Sequence, residues 1–209
     1  MNAPATRKSS PERRQEIAEA VLELIGRLGA SALTAARISK VVGVSSGAIF
    51  RHYPTTDAML EAATDLAIGR ARACFPARDL PPVERIRGLL LARIETIRAH
   101  PGLNWLLLSE QAPLTVPTNA IARLQSLVND SQAFLKSAVN EAIAQGALRS
   151  DVPPATMLVL FSGTVRSLSA PTTVHGEAIL PSDLLSPAAV LDTLFQLLAA
   201  GSNPSTELS

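Results

Sequence analysis

Three histidines, one cysteine and 18 carboxylates are the groups from which catalytic or metal chemistry would have to be built. His52, His100 and His175 stand far apart, and none has another His, a Cys or an acid pair at metal-ligand spacing. No phosphate loop, nucleophile elbow or CxxC pair occurs, so no cofactor and no metal are expected and the chain reads as a non-enzyme. Cys74 is alone, which excludes a disulfide framework within the chain and reads as a small apolar packer. The cations are more informative, because they are unevenly placed. Residues 1–53 carry eight Lys/Arg (Arg7, Lys8, Arg13, Arg14, Arg27, Arg37, Lys40, Arg51) against four acids, while the remainder is acidic by three. A basic first quarter suits contact with a polyanion, and a chance surplus on a solvated surface is the plainer alternative.

Pattern around those cations adds a second signal. Residues 33–53 read LTAARISKVVGVSSGAIFRHY. Thr34 is placed to cap a short helix carrying Ile38, Val41 and Val42, Gly43 to end it, and Ser45 to cap a second helix that stops before Pro54. Ile38, Val42, Val44 and Ile49 are spaced to hold two short helices at a steep angle, the helix-turn-helix arrangement. Ser45, Ser46 and Gly47 start the second helix with little bulk, which lets its N-terminus approach a phosphate or a base edge. An ordinary helical hairpin in an all-helical protein fits the same spacing.

The stretch from Ile17 to Ala62 resembles the DNA-binding domain of the TetR family of bacterial transcriptional regulators. The matching pieces are Leu28-Gly29, Leu33-Thr34, Val42-Gly43-Val44-Ser45, Gly47, Phe50-Arg51-His52-Tyr53 and Asp57-Ala58-Met59-Leu60. The resemblance implies phosphate contact at Thr34 and His52, and groove contact by Ser45, Ser46, Gly47 and Ala48. It makes Ser46 and Ala48 the base-edge candidates, Ala48 through a thymine methyl. Two positions depart from the pattern. Phe50 stands where a phosphate-bonding tyrosine is usual, and Thr56 replaces a common lysine, which shifts the load to Arg37, Lys40, Arg51 and the basic arm. Tyr53 is expected to close the small domain's core.

Around that motif the whole chain reads as helix. Its 209 residues are 47% hydrophobic and 18% charged, enough apolar matter for a sizeable core and too much for a disordered chain. No apolar run approaches the length of a membrane span, and the N-terminus lacks the apolar core of a secretory signal, so a cytoplasmic protein is expected. Residues 1–10 read as a flexible basic arm, with Ser10 as the cap of a first helix ending at Gly29. Further helices are expected at about 56–75, 82–99, 103–109, 119–145, 154–168 and 187–200, with loops at 111–117 and 171–186. About nine helices make the fold class all-α. The expected domains are a helix-turn-helix domain over 11–55, a ligand-binding and dimerisation domain over 56–201, and a disordered tail over 202–209.

Helices 154–168 and 187–200 are apolar over most of their circumference, which a monomer surface would not tolerate; they are expected to form a homodimer interface. A pocket for an unidentified small molecule is expected among the middle helices. Trp105, Phe134 and Phe161 would be its walls, and Asn104, Glu110, Gln111 and Arg166 its polar groups. Arg166 could equally bridge the dimer. The sequence therefore leads to a ligand-responsive repressor of operator DNA, with a binding module of weakened DNA specificity as the alternative.

Overall fold

The first helix is set by a reciprocal cap. In the computed structural model, which describes residues 9–169, 173–174, 177–178 and 186–201, α1 spans Ser10–Leu28. Its cap is Ser9 rather than Ser10. The Glu12 N–H donates to Ser9 Oγ at 3.4 Å and the Ser9 N–H donates to Glu12 Oε2 at 2.7 Å. That box needs the acid three residues after the cap, a spacing Ser9 has and Ser10 lacks. The basic arm before residue 9 and the tail after 201 lie outside the described residues.

Gly29 (φ 76°) ends α1, and a 3-10 turn at Ala30–Ala32 leads to α2 (Ala35–Val42), α3 (Ser46–His52) and α4 (Thr56–Arg72). Gly43, at φ 74° and ψ 33°, returns its N–H to Ser39 O at 2.8 Å and makes the turn between α2 and α3. A side chain is rarely tolerated in that conformation, which is why a glycine stands here. The chain continues through α5 (Pro82–Ala99), α6 (Pro101–Leu108), α7 (Ala112–Thr115), α8 (Thr118–Ala144), α9 (Pro154–Ser169) and α10 (Pro187–Leu198). The fold class is all-α, with ten α-helices among the described residues.

Three local expectations change. α6 starts at Pro101, not Leu103, because proline suits a first helical position and Gly102 is not a terminator here. The expected loop at 111–117 contains the single turn α7, with Pro113 within its first turn. Within the expected loop at 171–186, β1 (Thr173–Val174) pairs antiparallel with β2 (Glu177–Ala178), a ladder too short to form a sheet of its own. The rest of that segment lies outside the described residues.

The chain divides into two compact units, one built from residues up to 70 with 99–127, the other from 71–98 and the chain from 128 onward. In the first, α1 packs on α2, α3 and α6. Ile17, Val21 and Ile25 of α1, Ile38 of α2, Ile49 of α3 and Leu103 of α6 are fully buried. α1 and α6 approach unusually closely. A Cβ built on Gly102 would lie 2.0 Å from the Leu22 carbonyl oxygen, and one on Gly26 would lie 2.3 Å from the Gly102 nitrogen. The second unit is centred on Ile86, Leu90 and Ile94 of α5, Val139 of α8, Phe161 of α9 and Leu191 of α10. There Phe161 and Phe195 rings sit 5.7 Å apart. Arg87 pairs with Asp192, tying α5 to α10.

Candidate nucleic-acid interface

α2 and α3 are short, so caps and one shared turn decide their geometry. Thr34 Oγ1 accepts the Arg37 N–H at 3.2 Å, and Ser45 Oγ accepts the Ala48 N–H at 3.2 Å, satisfying one first-turn donor in each helix. Ser39 Oγ, which bonds Ala36 O, comes within 3.4 Å of Ser46 Oγ and links the two helices. Beneath them Ile38 and Ile49 are fully buried. Tyr53, only 5% exposed, donates its hydroxyl to Arg14 O at 3.2 Å, while the Arg14 guanidinium lies 4.7 Å from the ring centroid. Tyr53 thus closes the core of this unit and clamps α1 to the end of α3.

Outward from that core, Thr34, Arg37, Lys40, Ser45, Gly47, Phe50 and Arg51 are exposed, and Ser46, Ala48, His52 and Thr56 are half-buried. Ser46 turns partly toward α2, leaving Ser45, Gly47, Phe50 and Arg51 as the open positions along α3. No atom lies within 4 Å of a Cβ added to Gly47, so the start of α3 is open to an approaching surface. Phe50 is 44% exposed, unusual for a large apolar ring on a short helix.

The charge is more one-sided than the count over residues 1–53 indicated. No Asp or Glu occurs between Glu23 and Asp57, so α2 and α3 carry Arg37, Lys40, Arg51 and His52 without a carboxylate. Arg37 Nη1 is steadied by Ala32 O at 2.6 Å, and Lys40 and Arg51 make no ion pair with a described residue. Of the other cations expected to contribute, Arg13 is paired with Glu16 at 2.6 Å and Arg14 is docked on Tyr53. Arg7 and Lys8 fall outside the described residues. The four acids of the basic quarter all lie on α1. Three of them, Glu16, Glu19 and Glu23, line a cleft of about 350 Å³ with Arg70 and His100. Arg70 bonds both oxygens of Glu19, at 2.5 and 2.6 Å. Burial first, and then the nearby Arg70 charge, hold the His100 imidazole below its ordinary pKa; Glu19 opposes them.

The expected small-molecule residues separate into two groups. Asn104 and Trp105 of α6, with the exposed Glu110 and Gln111, belong to the first unit. The Trp105 indole nitrogen lies 3.9 Å from a Cβ built on Gly29, beside the end of α1. Phe134, Phe161 and Arg166 belong to the second unit. Phe161 is fully buried packing, and Arg166 is exposed on α9. Phe134 meets Phe75 edge-on, with centroids 5.3 Å apart, and lines a cavity of about 560 Å³. The sequence reading missed the other walls of that cavity, Arg72, Phe75, Arg78, Arg85 and Asp130. One available signal was Arg85, a charge adjoining the apolar stripe Val83, Ile86, Leu90 of α5. Among the described residues no cluster of three metal-ligating side chains occurs, and no helix is long and apolar enough to cross a membrane.

A capped helix-turn-helix with an acid-free outer face is an arrangement that nucleic-acid-binding proteins use. Residues 17–63 match the model for bacterial regulatory proteins of the tetR family. The fold is shared far beyond those residues. AibR, solved with isovaleryl coenzyme A and operator DNA, superposes with a TM-score of 0.72 at 20% identity, covering 90% of this chain and 98% of its own. A TetR-family transcriptional regulator from Agrobacterium tumefaciens gives a TM-score of 0.72 at 21% identity, covering 92% and 100%. The nucleoid occlusion factor SlmA of Vibrio cholerae is 31% identical over 100 residues, 46% of this chain and 50% of that protein. That of Haemophilus ducreyi is 29% identical over 105 residues, 48% and 52%. The chain spans about half the length of these curated relatives.

Proposed function

We propose that this chain is a TetR-type transcription regulator, a cytoplasmic, non-enzymatic repressor that leaves operator DNA when a small molecule binds. The observation that carries the reading is the exposed, carboxylate-free face of α2 and α3. In this reading α3 enters the major groove, with Ser45, Ser46, Gly47 and Ala48 nearest the bases. Thr34, Arg37, Arg51, His52 and Thr56 meet phosphates. Phe50 has no hydroxyl for a phosphate, so its exposed ring makes an apolar contact instead, of the kind a thymine methyl accepts.

Dimerisation completes the reader. Val159 and Leu160 on α9 and Leu197 on α10 are 71%, 41% and 65% exposed in the single chain, and burying them supports pairing of two copies through these helices. Two recognition helices then address half-sites about 34 Å apart or a multiple of it. A ligand acts by favouring a dimer geometry in which that spacing is lost.

The test is salt-dependent binding to the DNA upstream of the protein's own gene, followed by fluorescence anisotropy. If each protomer neutralises about four phosphates, log K against log salt has a slope near −7. A slope shallower than about −2, or equal affinity for unrelated DNA, refutes sequence-specific operator binding and favours the alternative, a binding module with weakened DNA specificity.

A further inference from the structure

The cavity of the second unit has a composition that selects one chemical class of ligand. Its walls include three arginines, Arg72, Arg78 and Arg85, against one carboxylate, Asp130, and an aromatic corner made by Phe75 and Phe134. Arg72 spends its charge on Asp130 at 3.0 Å. Arg78 is exposed and makes no ion pair with a described residue. Arg85 is the unusual member. It is only 8% exposed, its Nη2 pairs with Glu141, and its buried Nε has no hydrogen-bond partner among the described residues. A guanidinium has five donors, and a buried one that satisfies a single carboxylate oxygen remains short of acceptors.

We infer that this cavity binds an amphiphilic organic anion, its carboxylate or phosphate drawn by Arg85 and Arg78 and its apolar body seated against Phe75 and Phe134. Volume, charge and wall chemistry agree. About 560 Å³ is in the range of small-molecule sites. Guanidinium groups match the planar or tetrahedral oxygens of such head groups through paired hydrogen bonds. A cation is repelled by Arg78, the wall arginine without an ion-pair partner among the described residues, and a neutral apolar molecule leaves Arg85 as under-satisfied as before. Phe134 and Phe75 then supply non-directional burial for whatever the head group carries.

This inference rests on the reading of the second unit as the regulator's sensing part, and its test separates the two. Octanoate, octyl phosphate and the neutral octanol are titrated into the full-length protein by calorimetry, and DNA binding is measured on the same preparation without probe. At least one anion is expected to bind tenfold or more tighter than octanol, and the two anions distinguish a carboxylate from a phosphate site. Arg78→Glu, at an exposed position, is expected to weaken the anion at least tenfold while leaving octanol affinity and the thermal midpoint unchanged. Arg85→Lys, which keeps the charge and loses the fork, is expected to weaken it several-fold. Octanol binding as tightly as both anions, no binding of either anion, or an Arg78→Glu variant with full anion affinity overturns the inference, even where DNA is bound. Selective anion binding by a protein that does not bind DNA upholds the inference and refutes the regulator.

Discussion

Replacing Gly102 by alanine tests a close contact in the first unit, the crossing of α1 and α6. The added methyl would sit 2.0 Å from the Leu22 carbonyl oxygen and 2.7 Å from the Leu22 side chain. The side chain can rotate away, but the carbonyl is part of α1 and cannot move without the helix. The two helices must therefore separate by about 1 Å or more before the contact reaches ordinary van der Waals range. Ile17, Val21, Ile25 and Leu103, all fully buried, lose contact as they do so. Overpacking of this kind costs about 1–3 kcal/mol and more where only backbone can yield. Against it stands only a small propensity gain, less than the roughly 1 kcal/mol of a helix interior, because Gly102 is the second residue of α6. The net expectation is a loss of about 1–3 kcal/mol in urea unfolding. Gly69→Ala on α4 is the control, because no heavy atom lies within 4 Å of its added Cβ. There only the propensity gain remains, and stability is expected to rise by about 0.5–1 kcal/mol. A Gly102→Ala protein as stable as the Gly69→Ala protein would refute the close-crossing argument.

Thr34→Ala removes the oxygen that accepts the Arg37 N–H and is expected to cost about 1 kcal/mol of stability and to weaken DNA binding; Thr34→Ser restores both, read by urea unfolding and anisotropy. His100 has its folded pKa below the ordinary 6.5, so the unfolded chain binds the extra proton first. Its contribution is present above that value and declines as pH falls below it, and His100→Gln is expected to flatten the stability profile between pH 7 and about 5. Val159→Glu with Leu197→Glu places two charges on the exposed apolar faces of α9 and α10. Sedimentation is expected to show a monomer with unchanged helical circular dichroism, and a persisting dimer would place the interface elsewhere.

Local chemistry alone made much of this protein legible. Caps at Thr34 and Ser45, the turn at Gly43 and the apolar spacing of α5, α8 and α9 depend on neighbours a few residues away, so they can be read along the chain. The all-α class and the helix-turn-helix follow from them. Where two local readings competed, the sequence was ambiguous: Ser9 and Ser10 both precede a proline, and only the reciprocal bond with Glu12 separates them. Gly102 was equally ambiguous. As a residue after proline it resembles a helix breaker, and its actual role is to let α6 touch the backbone of α1, a partner about eighty residues distant.

What only the tertiary structure decided are the surfaces where distant segments meet. Trp105, Asn104 and Phe134 carry the same kinds of chemistry in sequence, yet the first two belong with α1 and the third lines a cavity beside Arg72 and Arg85. Composition cannot distinguish an arginine that faces water from one buried beside a lone carboxylate, because that depends on which helix lies opposite. The basic face of α2 and α3 was determined by the sequence, since an acid-free run of residues stays acid-free however it folds. The cavity with its under-satisfied arginine was not, because it is formed by α4, α5 and α8 meeting across long stretches of chain.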